Sequence, residues 1–277
     1  MNESASAIDA FHAAVAALLR DTAAKVVMPR YCALAEHEIE EKAADDFVTV
    51  ADREAEAMLE EGLAKIIPGL PVVGEEAAFA DASVLQRLSG DCWIVDPIDG
   101  TRNFAAGHPP FAIMLAMASG GEAHTGWIYD PVRERLLVTH KGKGAFCDGE
   151  RVTVKPSGRT RPNLAAMTKF MAPEQRALFE AEILPHYAVA DAPQCSAEQY
   201  PLVAFGEHDL AIYERTHAWD HAAGSLFLNE AGGRAARPDG TPYRVDDTRT
   251  GMLAATTPAL FDEFAERLTR SGYKPGV

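Results

Sequence analysis

The stretch Trp93-Ile94-Val95-Asp96-Pro97-Ile98-Asp99-Gly100-Thr101-Arg102-Asn103-Phe104 constrains this chain more than any other. Its apolar opening, with two β-branched residues and an aromatic, reads as a buried strand. That strand is expected to stop at an acid and then a proline, because proline cannot extend a central ladder. Two carboxylates, Asp96 and Asp99, then sit at a strand exit, close enough along a bent backbone to converge on one point. Like charges held together need a cation or a proton between them. Gly100 and Thr101 follow with backbone N–H groups in a tight turn and a hydroxyl beside them, a nest suited to an anion such as phosphate. Metal on one side and phosphate on the other is an arrangement for phosphoryl transfer. Asp-Pro and Asp-Gly alone are common loop punctuation, so the inference rests on the full string.

With 277 residues, 47% of them apolar, the chain can bury a large core as one big domain or as two lobes. Neither end reads as a signal peptide, since Asp9, His12 and Arg20 interrupt the apolar set near the start, and no stretch is long enough to cross a bilayer. A soluble, cytoplasmic protein is expected. The formal net charge of −15 repels nucleic acid and anionic membranes, and no Lys/Arg cluster rescues such binding. A phosphorylated substrate would be repelled too unless bound cations reverse the local sign. Cys32, Cys92, Cys147 and Cys195 are far apart, as fits reduced, mostly packed thiols, and the nine histidines form no His-Glu-x-x-His. Any metal should therefore be oxygen-ligated, which is the Mg²⁺ pattern with Mn²⁺ as a substitute.

Along the chain, Ile8, Phe11, Val15, Leu18 and Leu19 share a helical face after Ser6, and that helix should end near Pro29. The mixed charges of residues 36–46 read as a solvated loop or helix end. Thr49-x-x-Asp52 is a capping signature opening a helix of about four turns, and by itself makes Asp52 structural. A short strand leads into Gly74 and the adjacent acids Glu75 and Glu76, a costly pair unless solvated or bound to something positive. Residues 111–117, 126–131 and 136–139 read as strands of an antiparallel meander with tight turns at 142–144 and 148–149. Residues 155–162, rich in Pro, Ser, Gly and Arg, mark a boundary between an antiparallel-rich α+β lobe (1–155) and an α/β lobe (156–277). In the second lobe, strands near 164–168, 187–190 and 209–213 alternate with helices at 173–184 and 198–205. Asp220, in Trp219-Asp220-His221-Ala222-Ala223-Gly224, opens a further helix; an acid there suits the macrodipole, and ligation is the competing reading.

Four of these segments together resemble the inositol monophosphatase family, the magnesium-dependent, lithium-sensitive sugar phosphatases. The string from Asp96 to Phe104 matches its Asp-Pro-x-Asp-Gly-Thr-x-Asn-Phe. Thr49-x-x-Asp52, Gly74-Glu75-Glu76 and the run from Trp219 to Gly233 match in the expected order. The resemblance implies a layered α/β/α/β/α fold, often dimeric, and a phosphomonoesterase acting by metal-activated water without a covalent intermediate. It implies that Glu75, Asp96 and the Ile98 carbonyl hold one Mg²⁺, that Asp96, Asp99 and Asp220 hold a second, and that Glu75 serves a weaker third. Asp52 would bind that third ion or its waters and help activate the nucleophile, Thr101 and Glu75 would orient the water, and Gly100 and Thr101 N–H groups would hold phosphate oxygens.

The family's lysine near the metals has Lys42 as its nearest counterpart here, although counting back from Asp52 lands on Glu41. Around the substrate, Asp99 and Asp220 would face its hydroxyl side. Residues 195–200, Cys-Ser-Ala-Glu-Gln-Tyr, stand where many members have a small-residue Gly-Ser-Ala-Ala wall, which makes Glu198 a substrate contact. Glu214 lies one residue nearer Asp220 than the family's usual substrate glutamate. Arg102 fills a variable motif position and would touch an anionic substrate or salt-bridge at the rim. The implied partner is a small phosphorylated metabolite, with inositol 1-phosphate as the default. Histidinol phosphate is the alternative if Glu198 or Glu214 meets a cationic amine, and fructose 1,6-bisphosphate follows if basic residues lie near a second phosphate. A noncatalytic metal- or metabolite-binding protein on the same fold is the reading from another class. Asn103-Phe104 in place of Gly-Phe argues against nucleotide 3′-phosphates.

Overall fold

A computed structural model describes residues 2–43 and 46–274. The strand expected from residue 93 is β4 (Cys92–Asp99), and every residue in it is buried. It continues past Asp96, through Pro97, further than proline was expected to allow. On one side its parallel neighbour β3 (Val72–Gly74) pairs only as far as Val95. On the other, the register with β5 (Ala112–Ser119) shifts between Asp96 and Asp99. Pro97 thus falls where no ladder bond requires its missing N–H.

From β4 onward the expected meander forms: β5, β6 (Glu122–Asp130), β7 (Arg135–His140), β8 (Gly144–Cys147) and β9 (Glu150–Val152) pair antiparallel in sequence order. With β3 they make a seven-stranded sheet. The pleat sends alternate residues of β4 to opposite cores. Trp93 and Val95 join Val15 and Leu19 of α1 (Asn2–Thr22) and Leu59 and Leu63 of α3 (Val50–Ile66). Ile94 joins residues of α7 (Ser196–Ala204) and α8 (Ala218–Glu230), Tyr200 and Phe227 among them. The first helix passes through a π-helical segment at Ala23–Val27 and ends in α2 (Met28–Arg30), at the expected proline.

A second sheet has the order β11-β10-β12-β14-β13, from β10 (Asn163–Ala166), β11 (Ala188–Ala190), β12 (Leu210–Tyr213), β13 (Arg234–Ala236) and β14 (Met252–Ala255). β10 runs parallel to β11 and β12, while β14 runs antiparallel to β12 and β13. Ala165, Ala211 and Ala254 face α7 and α8; Leu164, Leu210 and Leu253 face Phe179 of α6 (Pro173–Glu182) and Phe261 and Phe264 of α9 (Pro258–Ser271). The order α1/α3, sheet, α7/α8, sheet, α6/α9 is the five-layer arrangement expected of the chain.

Residues expected to be a solvated loop instead form an antiparallel pair, β1 (Ile39–Ala43) and β2 (Asp46–Thr49), with residues 44 and 45 of that stretch outside the described set. Polar alternation is compatible with a strand whose inner face meets charge, and Lys42 finds two carboxylates there. α4 (Glu75–Ala80) and the short α5 (Thr101–Ala105) complete the elements around the site. Among the described residues no helix is long and apolar enough to cross a membrane.

Candidate active site

Asp96 and Asp99 arrive from the end of β4 and Asp220 from the first turn of α8, which packs against β4. One carboxylate oxygen from each lies within 4.8 Å of the other two. Ligand oxygens around an octahedral Mg²⁺ with bonds of about 2.1 Å sit about 3–4 Å apart, so a small closure of this trio suffices to hold one. All three donors are hard oxygens, with no imidazole or thiolate among them, which fits Mg²⁺. Burial raises the Asp96 carboxyl well above its ordinary value, and Glu75 and Asp99 raise it further. Burial also raises Asp99, against hydrogen bonds from Cys195, Ala197 and Ser196. A cation relieves both.

Asp99 is gripped from the far end of the chain. Its Oδ2 accepts from Cys195 Sγ at 3.0 Å and Ala197 N–H at 2.6 Å, and its Oδ1 from Ser196 Oγ at 3.1 Å. The backbone turns sharply after it at Gly100, whose φ of +87° is left-handed; a Cβ there would stand 2.9 Å from the Pro110 carbonyl. Glycine is required at this point by conformation and by space.

Asp52 caps α3 and also faces the site. Its Oδ2 accepts from Thr49 N–H at 2.8 Å and Thr49 Oγ at 2.5 Å, the reciprocal box that the sequence predicted. Its Oδ1 lies 3.2 Å from Thr101 Oγ, which lies 2.9 Å from the Ile98 carbonyl, so the single Thr101 hydroxyl hydrogen serves one of these two acceptors at a time. Burial pushes the Asp52 carboxyl up to about 7, against the Thr49 hydrogen bonds. One Asp52 oxygen thus serves the helix cap and the other faces Thr101.

Glu75 lies beside this pair, on the first turn of α4. Lys42 Nζ reaches it at 3.1 Å and Glu76 at 2.5 Å. Burial opposes the charge on Lys42, but the two glutamates outweigh it and hold the ammonium above its usual range. Of the two positions weighed from the sequence, Lys42 is the one in contact with these acids. A residue that the sequence reading passed over holds the turn: Glu56, one helical turn after Asp52, accepts Glu76 N–H at 2.9 Å and Ala77 N–H at 2.8 Å. Burial raises its carboxyl. It lies so close that a Cβ on Gly74 would stand 2.3 Å from its Cδ. The signal was available as an acid at i+4 from Asp52 on the same helix face.

These residues line one cleft: Glu75, Asp96, Ile98, Asp99, Gly100, Thr101, Glu214 and Asp220 share its wall. Glu198 does not belong to it, which corrects its assignment as a substrate contact. Its carboxylate pairs with Arg135 and, at 3.3 Å, with Arg133, beneath Pro110 and Phe111 and away from the cleft. Helical geometry explains the difference: Ser196 and Gln199, three residues apart, line the cleft, while Glu198 is about 200° around α7 from Ser196. Glu214 is buried and accepts from the Tyr273 hydroxyl. The cleft is also lined by side chains with no signal in the motifs: Lys169, Phe170, Gln194 and Arg215.

An oxygen-rich trio suited to a divalent cation, sharing a cleft with a threonine hydroxyl that a buried carboxylate meets, is an arrangement suited to metal-assisted phosphate-ester hydrolysis, the work of a phosphatase. A sequence profile of the inositol monophosphatase family matches residues 9–273. The chain is 33% identical over 241 residues to the inositol-1-monophosphatase of Caulobacter vibrioides, covering 84% of this chain and 91% of that one. It is 33% identical over 195 residues to the fructose-1,6-bisphosphatase/inositol-1-monophosphatase of Thermotoga maritima, covering 68% and 70%. Its fold superposes on the solved Thermotoga maritima IMPase with a TM-score of 0.77 at 25% identity, over 93% of this chain and 96% of that one. The chain belongs to the inositol monophosphatase family, and it is a phosphatase of that metal-dependent class.

Proposed function

We propose that this chain is a Mg²⁺-dependent phosphomonoesterase for a small polyol or sugar phosphate. The observation that carries the reading is the Asp96, Asp99, Asp220 trio in one cleft with Thr101, whose hydroxyl lies 3.2 Å from the buried Asp52 behind it. Asp96, Asp99, Asp220, Glu75 and the Ile98 carbonyl would hold two to three ions, the first lobe supplying most of them and the second Asp220. Mg²⁺, when bound, supplies positive charge for the phosphate and a water of lowered pKa. Thr101 Oγ and Asp52 Oδ1, 3.2 Å apart, would help to orient and activate that water. Glu75, fixed by Lys42 and by the turn that Glu56 holds, would orient the water. Gly100 and Thr101 N–H groups would meet the nonbridging oxygens.

Inositol 1-phosphate is the first substrate to try. The case for histidinol phosphate is weaker than the sequence allowed, since Glu198 points elsewhere and Glu214 is engaged by Tyr273. Phosphate release from inositol 1-phosphate, histidinol phosphate and fructose 1,6-bisphosphate, with Mg²⁺ and with chelator, tests the reading. Asp96→Asn is expected to abolish the Mg²⁺-dependent release; wild-type turnover in that variant would refute the metal assignment.

A further inference from the structure

The loop that joins β12 to α8, residues 214–217, has two duties. It brings Glu214 and Arg215 to the cleft wall, and it delivers the first turn of α8, from which Asp220 enters the cleft. A loop this short cannot satisfy its own carbonyls, so donors must come from elsewhere. Each carbonyl has one within reach. That of Glu214 accepts Gly251 N–H at 3.0 Å, and that of Arg215 accepts from His221 Nε2 at 3.0 Å, which ties the first turn of α8 back to the loop. The Tyr243 hydroxyl stands 3.1 Å from the Thr216 carbonyl and 3.3 Å from that of His217, its single hydrogen serving one of them at a time.

The same loop meets Arg237, which follows β13 and is only 1% exposed. Its Nη1 donates to Thr216 Oγ and to the Gly251 carbonyl, each at 3.0 Å, and Thr216 Oγ donates onward to the Arg249 carbonyl at 3.1 Å. The guanidinium carbon lies 5.0 Å from the centroid of the Tyr243 ring, and Nε lies 3.7 Å from the Asp247 carboxylate. Nε and Nη2 find no hydrogen-bond acceptor among the described residues. A buried guanidinium so placed costs stability, and an apolar side chain of similar length would fill the space at lower cost. What an apolar side chain cannot do is hold Thr216 and Gly251 together. Neither Arg237 nor Tyr243 lines the cleft.

We infer that Arg237 and Tyr243 are positioning residues for Asp220: they fix the loop from which α8 starts, so that its first turn presents the carboxylate to Asp96 and Asp99. The inference rests on the phosphatase reading above and extends it to residues outside the cleft. The body of α8 is held by packing on the first sheet and α7. Its first turn is the part with the fewest internal bonds, because the leading N–H groups of a helix lack intrahelical acceptors. The trio's oxygens lie within 4.8 Å of one another. Mg²⁺ needs them about 3–4 Å apart, so a displacement of the first turn by about half an ångström is enough to weaken the site.

Arg237→Met and Tyr243→Phe test this by calorimetric titration with Mg²⁺ in the absence of substrate, beside melting curves of the metal-free protein. Arg237→Met is expected to bind Mg²⁺ about tenfold more weakly, the scale on which residues that orient metal ligands act. It should melt no lower than wild type, since a buried charge gives way to an apolar chain. Loss of a merely structural residue would not combine those two effects. Tyr243→Phe keeps the ring and removes only the hydroxyl, so about threefold weaker binding is expected. Saturating Mg²⁺ should restore kcat for phosphate release from inositol 1-phosphate in both, and a deficit that persists there overturns the inference. Wild-type Mg²⁺ affinity in either variant overturns the assignment of that residue, and in both it overturns the inference while the phosphatase reading stands. Where Arg237→Met fails to fold or melts lower without metal, Tyr243→Phe decides alone: weaker binding upholds the inference and wild-type affinity overturns it. A wild-type protein that binds no Mg²⁺ would overturn the metal assignment itself, and with it this inference.

Discussion

Replacing Glu56 by alanine isolates the contribution of a side chain that touches no substrate. Its two oxygens accept the N–H groups of Glu76 and Ala77, which open α4 and would otherwise lack an intrahelical partner. Hydrogen bonds to a charged group contribute about 1.5–3 kcal/mol each. Desolvation of the carboxylate, which raises its pKa, offsets part of that. A net loss of about 2–4 kcal/mol follows from these two terms. For a chain of this size about 2–4 °C per kcal/mol is typical, so the melting temperature should drop by about 5–15 °C. Glu56→Gln keeps one acceptor and turns an amide N–H toward a backbone N–H, so an intermediate loss is expected. Because the same turn carries Glu75, the Mg²⁺ concentration for half-maximal phosphate release should rise several-fold in Glu56→Ala. Calorimetric melts and a Mg²⁺ titration of activity read the two effects separately. Melting within 1 °C of wild type, with an unchanged Mg²⁺ midpoint, would show that α4 is fixed by other contacts.

Two further outcomes are expected. Glu198→Gln should lower stability by about 1–3 kcal/mol, since it leaves the half-buried Arg135 facing a neutral partner. It should not change the order of preference among substrates, and a reordering would return Glu198 to the cleft. His124 lies in a half-buried chain, its Nδ1 on Thr125 Oγ and that oxygen on His140 Nδ1, each at 3.0 Å. Burial first, and then His140, hold it below its ordinary 6.5. The folded state thus favours the neutral ring, and the stability this contributes is present above about 6.5 and lost as pH falls toward the lower folded value. Melting temperatures measured from pH 7.5 to 5 should decline less steeply in His124→Gln than in wild type; identical slopes would exclude His124 as the source.

What was legible in the sequence were features whose signal is local. Thr49 and Asp52 sit three residues apart, the spacing at which a capping box closes, and that box is present. The alternation of Trp93, Ile94 and Val95 between two cores follows from the pleat. Asp96, Asp99 and Asp220 stood out because motifs mark them, although their convergence depends on α8 packing against β4. What escaped depended on orientation or on distant partners. Nothing local says which side of α7 meets the cleft, so Glu198 looked equivalent to Gln199. The charges of residues 36–46 read as solvated because the carboxylates that Lys42 meets lie over 30 residues away. Lys169, Phe170 and Arg215 come from two loops of the second sheet and carry no periodic signature. Pro97 misled in the other direction: a proline interrupts a strand where the neighbour on its N–H side needs that donor, and here β3 pairs only to Val95 and the register with β5 shifts between Asp96 and Asp99.

The grip on Asp99 has a consequence for the life of the chain before it is complete. Three donors from residues 195–197 hold a carboxylate that left the ribosome nearly a hundred residues earlier, and Asp220 follows later still. A nascent chain that has only just finished its meander carries acids at the end of β4 without the groups that aim them. Divalent cations, abundant where proteins are made, would meet a floppy pair of carboxylates and bind weakly. The groups that the proposed chemistry calls on are therefore complete only once α8 has been made.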